Sequence, residues 1–251
     1  MPPTHAHFNG SVNLADGESV MREIAARVPS GLWRVPDGET GDRGNWIFFQ
    51  MQKFLQSPSL VPARPLGAEG DYEQVPQLRL ADGVDPAQMT WPDLGYADAY
   101  LGSYATFAAL RRDGVIPDGV RFQVEYPTPL ASIGAYIVPE QQQALLGSYE
   151  QAMFADLARL LAAVPHDEVA VQWDVAVEFG VLEEAFARAA RRPSMRSSRA
   201  WLGAWTRCPP RSRWGCTCVT GTTATSISSS QSHWPCRSGS WTQSLRWPGG
   251  G

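Results

Sequence analysis

Acidic side chains disappear from the chain after Glu184. All 25 Asp and Glu residues of the 251-residue protein lie at or before that position, and the last 66 residues contain none. That terminal stretch also lacks lysine, yet it holds ten arginines, all four cysteines, six of the ten tryptophans and twelve serines. Its formal charge is +10, whereas residues 1–185 carry −14 from 25 acids and 11 basic residues. So sharp a break excludes one ordinary domain of even composition, and the two parts are read separately, as residues 1–186 and 187–251. Long apolar runs are missing too. No stretch reaches the roughly 18 apolar residues of a membrane-spanning helix, and the opening MPPTHAHFNGSV lacks the basic-then-apolar layout of a secretory signal. The expectation is a cytoplasmic protein with no membrane partner.

Common cofactor and nucleophile signatures are absent as well. There is no GxGxxG dinucleotide fingerprint, no GxxxxGK phosphate loop and no GxSxG nucleophile elbow. Histidines are too scattered to make a metal set: His5 and His7 sit near the start, and His166 follows Pro165 in a predicted helix-to-strand turn. With 43% hydrophobic and 18% charged residues the chain is still a globular one, neither collagen-like nor highly charged and disordered.

What is present in residues 1–185 is an alternation of helices and strands. Gly10 to Asp16 reads as a loop entering a helix capped by Asp16 or Ser19, with Val20, Ile24 and Val28 on one face and Pro29, Ser30 and Gly31 at its end. An extended LWRV segment then delivers PDGETGDR into a loop, and a helix is expected over Trp46 to Leu55. Residues 57–94 are rich in Pro and Gly and read as an excursion with short strands around Tyr72 to Leu80. Further helices are predicted over Tyr96 to Arg111 and Pro139 to Ala163, and strands over Val120 to Tyr126 and Val169 to Val177. Strands separated by helices of this length predict a parallel α/β sheet.

Three polar constellations stand out at the ends of these strands. RVPDGETGDRGNW offers Asp37, Glu39 and Arg43 in a tight loop. One reading is a ligand clamp, with Arg43 on a carboxylate and Asp37 or Glu39 on an amine; the other is a solvated turn held by local ion pairs. FQVEYPTPL places Gln123 and Glu125 on one strand face, and VQWDVAVEF places Gln172, Asp174 and Glu178 on another. A carboxylate at the end of a buried strand needs a partner, which is either a substrate or a structural ion pair.

The acid-free tail invites a zinc reading through Cys216 and Cys218 and a nucleic-acid reading through its arginines and aromatics. Neither explains why acids stop at one point. A shifted reading frame does. When the coding bases are read from the third base of each codon, Cys216 to Ile227 allows LHLCYGDYGHKH, and acids and amphipathic periodicity return upstream and downstream. Residues 187–251 are therefore expected to be a frameshifted tail, disordered or poorly packed, with no nucleic-acid partner.

RVPDGETGDR with GNW, EYPTPL and VQWDVAVEF together resemble a bacterial branch of the cobalamin-independent methionine synthase-like proteins, over about Phe8 to Phe186. The resemblance implies a (β/α)8 TIM barrel with a pocket at the C-terminal strand ends, here incomplete. It implies methyl or alkyl transfer to a small thiol or amino-acid-like ligand, a folate methyl donor, and a zinc ion that holds the thiol as thiolate in intact relatives. On that template Asp174 grips the substrate amino group, while Glu125, Asp37 and Glu39 line the pocket. The family's His-x-Cys zinc motif would fall at the slots of Thr217 and Val219. This chain is accordingly expected to hold no catalytic zinc and to be inactive as a transferase; the alternative is a noncatalytic ligand-binding or interaction protein.

Overall fold

The computed structural model describes residues 6–63, 77–182 and 217–219. Helix α1 (Gly17–Arg27) starts at Asp16, whose carboxylate accepts the Ser19 backbone N–H at 2.7 Å, and it buries Val20, Met21, Ile24 and Ala25. Strand β1 (Arg34–Val35) is only two residues long. After it, PDGETGDR runs through a turn into a short 3₁₀ segment (Gly41–Asn45) and helix α2 (Trp46–Phe54). Strands β2 (Leu60–Pro62) and β3 (Leu78–Leu80) pair antiparallel. Of the excursion's expected strands, β3 lies at the end of the predicted range, and residues 64–76 lie outside the described residues.

The central unit is β4 (Arg121–Pro127), α4 (Pro129–Tyr136), α5 (Pro139–Ala163) and β5 (Val169–Asp174), with β4 and β5 parallel over six residue pairs. Helix α3 (Tyr96–Arg112) precedes it and α6 (Ala176–Leu182) follows it. Strand β6 (Thr217–Val219) lies parallel to β5, in register Gln172 with Thr217 and Asp174 with Val219. The remaining calls on residues 187–251, including disorder, lie outside the described residues.

Two expectations are corrected here. The sheet is open: its four parallel strands run in the order β1-β4-β5-β6, and β2 and β3 form a separate antiparallel pair. A closed eight-stranded barrel requires a continuous ladder that returns to its first strand, and no such return exists among the described residues, so the TIM barrel is not the architecture. The strand predicted to reach Val177 ends at Asp174, and Val177 lies in α6. Its run of apolar β-branched residues suits a strand equally well, but α6 packs against α4, and that contact decides. Helix α4 was not anticipated, although Thr128 followed by Pro129 is a helix-start signal: the Thr128 hydroxyl accepts the Ala131 N–H at 3.2 Å.

The parallel sheet has two unlike faces. Phe122, Tyr126 and Trp173 meet aromatic rings of α3 and α5, namely Tyr100, Phe107, Tyr96 and Phe154, at centroid distances of 5.0–6.2 Å. Alternation along the strands then sends Gln123, Glu125, Gln172 and Asp174 to the opposite face. The helices thus supply the apolar core, and the other face carries the polar groups.

Candidate functional site

The polar face is built by register. Glu125 lies beside Gln172, and Asp174 lies beside Pro127, so the four polar side chains of β4 and β5 fall in adjacent rows. Gln123, Glu125 and Gln172 are all but fully buried, while Asp174 and Glu39 are half-buried. An amide chain connects them. Gln123 Nε2 donates to Glu125 Oε1 at 2.5 Å and lies 3.1 Å from Gln172 Oε1, and Gln172 Nε2 donates to Asp174 Oδ1 at 2.9 Å.

The segment before α1 covers this row. The carbonyl of Phe8 accepts from Gln123 Nε2 at 2.7 Å, and that of Asn9 accepts from Gln172 Nε2 at 2.8 Å. Gly10 lies so close that a Cβ there would stand 2.1 Å from Glu125 Oε2, and its φ of +134° also demands glycine. The Ser11 hydroxyl donates to Glu39 Oε2. Sequence reasoning treated Gly10 to Asp16 as a plain connection and missed this covering role. Tyr100 was missed too. Its hydroxyl accepts the Glu125 N–H at 2.9 Å and donates to the Glu125 carbonyl at 2.5 Å, supplying the partner that the two-residue β1 is too short to provide. The sequence placed Tyr100 inside the helix predicted over Tyr96 to Arg111 and gave it no role.

The PDGETGDR loop brings in the remaining groups. Arg43 and Asp37 form a buried ion pair, with Asp37 also accepting the Glu39 N–H at 3.0 Å and the Arg43 guanidinium 4.6 Å from the centre of the Tyr100 ring. Arg43 is therefore paired with Asp37 inside the chain through one nitrogen, while its Nη1 is buried without a hydrogen-bond partner, so the loop is not a solvated turn. Glu39 has a φ of +50°, the one positive value for a non-glycine among the described residues. Backbone held in that region costs of order 1–3 kcal/mol and gathers at functional sites. Glu178 does not join the group. It is buried on α6, hydrogen-bonded to Thr128 at the start of α4, and one of its carboxylate oxygens has no partner.

Burial raises Glu39, Glu125 and Asp174 above the usual carboxylate range, Glu125 most clearly. Glu39 and Asp174 repel the charge on Glu125, and Asp174 and Asp37 repel that on Glu39; the Ser11 and Gln123 hydrogen bonds and Arg43 act in the opposite direction. The folded protein thus keeps protons that the unfolded chain loses near its ordinary glutamate value of 4.5. Stability is expected to fall as pH rises from there through the raised values. Half-buried His7, lowered by burial and by Arg34, works in the opposite direction, but only below its ordinary 6.5. Above that value the denaturant midpoint should decline as pH rises, and Glu125→Gln should flatten the decline and raise the midpoint at the alkaline end. An identical slope in the variant would show that Glu125 ionises normally.

The zinc centre implied for intact relatives does not fit these residues. No group of three or more His, Cys, Asp or Glu able to hold a metal occurs among the described residues. The slots for a histidine and a cysteine are taken by Thr217 and Val219, which are not zinc donors. His166 sits against the Leu161 carbonyl at 3.0 Å, in the helix-to-strand turn. Away from the carboxylates, an open cleft of about 300 Å³ lies between α1 and α3, lined in part by Asp16, Met21 and Thr106.

These features define an α/β protein with a carboxylate cluster on the polar face of an open parallel sheet. Comparison with models of known families, with curated proteins and with solved structures finds no match for this chain. No helix among the described residues is long and apolar enough to cross a membrane.

Proposed function

We propose that the polar face binds a small ligand through a cationic amine, amino-acid-like in class, and that the described residues recognise it without turning it over. The observation that carries this reading is a buried acceptor that nothing satisfies, next to the hydrogen-bonded row of Glu125, Gln172 and Asp174: Gln123 is fully buried, and its Oε1 has no hydrogen-bond partner. A buried acceptor without a donor costs roughly 1–3 kcal/mol. A ligand N–H would satisfy it, and the half-buried Glu39 and Asp174 would receive the charge. The resemblance to methionine synthase-like proteins supports the same role for Asp174. Thiol transfer needs a group that holds sulfur as thiolate, and no such donor set converges among the described residues; the reading therefore stops at binding.

Methylammonium and L-methionine are expected to raise the thermal midpoint in a concentration-dependent manner, the stabilisation reaching about 2.7 kcal/mol at a hundredfold excess over Kd. N-acetyl-L-methionine, which lacks the ammonium charge, should leave it unchanged. Equal shifts from the acetylated compound would remove the amine from the account.

A further inference from the structure

Among the described residues, the polar face holds more negative charge than its surroundings neutralise. Four carboxylates, Asp37, Glu39, Glu125 and Asp174, act on one another there, and the described cation acting on them is Arg43. Arg43 forms a buried ion pair with Asp37 through Nη2, and its Nη1 is buried without a hydrogen-bond partner. Tyr96 and Tyr100, both on α3, are held neutral by burial, and the other described groups facing the cluster from β4, β5 and the covering segment are the amides of Gln123 and Gln172, the Ser11 hydroxyl and backbone carbonyls. Three ionised carboxylates without a cation in a largely dehydrated setting are unfavourable, and such a group retains protons until a cation replaces them. The cation that fits is organic: the carboxylates do not close on a point as metal ligands do, and the unsatisfied Gln123 Oε1 asks for a hydrogen-bond donor, which an ammonium has and a bare metal ion lacks.

We propose that this site is a proton exchanger, in which an ammonium group enters by displacing protons shared among Glu39, Glu125 and Asp174, so that occupancy depends on pH. The proposal rests on the amine-binding reading above and adds its stoichiometry. Each proton leaves a carboxyl O–H for solvent or buffer as the carboxylate takes up the N–H donors of the ligand, and no bond in the ligand is broken. The half-buried Glu39 and Asp174 meet the ligand first, and Glu125 with Gln123 forms the floor.

Calorimetric titration of the full chain with methylammonium and with L-methionine, each in phosphate and in Tris at one pH, measures the protons released. Release of up to one proton per ligand is expected, with affinity rising several-fold per pH unit over the range in which the raised carboxyls are still protonated in the free protein. Glu39→Gln should at least halve the release while binding persists more weakly. NMR of ¹³C-labelled glutamate carboxyls in the free protein supplies a second reading, with two carboxyls expected to titrate together above the ordinary range. Binding with identical heats in both buffers and flat pH dependence would overturn proton exchange and leave amine recognition standing. Failure of both compounds to bind would remove amine recognition and this inference with it.

Discussion

Replacing Arg43 by methionine is expected to destabilise the protein by about 3–5 kcal/mol, among the largest single effects available in this fold. The guanidinium and the Asp37 carboxylate are both buried, so removing one strands the other without water or a counter-charge. Methionine fills similar volume, which keeps cavity formation out of the result. Contact with the Tyr100 ring is lost as well, worth about 0.5–2 kcal/mol. Asp37→Asn in the Arg43→Met background should recover most of the loss, because the stranded charge is then gone. Urea denaturation of the two single variants and the double variant gives the coupling energy directly. A cost below about 1 kcal/mol for Arg43→Met would match a solvent-exposed pair and would place the PDGETGDR loop outside the core.

Phe54→Ala is expected to cost a similar 3–5 kcal/mol, from lost transfer free energy and the cavity left behind. Phe54 is fully buried at the end of α2, where its ring lies 5.0 Å from Trp91, 5.7 Å from Tyr136 and 5.2 Å from Tyr149. Those partners belong to the connection before α3, to α4 and to α5, so a single ring ties four segments together. A nine-residue helix such as α2 is too short to persist alone and depends on that docking. Phe54→Leu should retain most of the stability, since it keeps apolar volume while giving up the edge-to-face contacts. Chemical denaturation checks the magnitudes, and near-ultraviolet circular dichroism should show loss of the aromatic signal in Phe54→Ala. A change smaller than about 1 kcal/mol would mean that α2 is not anchored through this ring.

Elements with strong local signals were legible from the residues alone. Helix α5 begins at Pro139 and ends at Ala163 as its apolar spacing and N-terminal proline indicate, and α1 starts at Asp16 because a carboxylate there can cap free backbone N–H groups. Strand β4 was recognisable because Phe122, Val124 and Tyr126 alternate with Gln123 and Glu125. The end of β5 was not legible, because Val175, Ala176 and Val177 suit either structure until α4 is there to pack against α6. Glu178 was drawn to the site by a period of two that stops at Asp174. Arg43 was legible as a charge partner, but the identity of its partner, a buried aspartate six positions back in the same loop, was not.

The sequence by itself determined that acids and amides sit at the ends of buried strands, since alternation with apolar neighbours fixes which side chains share a face regardless of what lies around them. It also located the break in composition after Glu184. Only the tertiary structure decided that Glu39, Glu125 and Asp174 act on one another, that Phe8 to Ser11 cover them, and that the sheet is open. The physical reason is range. Capping and periodicity act over a few residues and are written in local spacing, whereas the partners here are joined across up to 163 positions by hydrogen bonds that arise only when parallel strands fall into register.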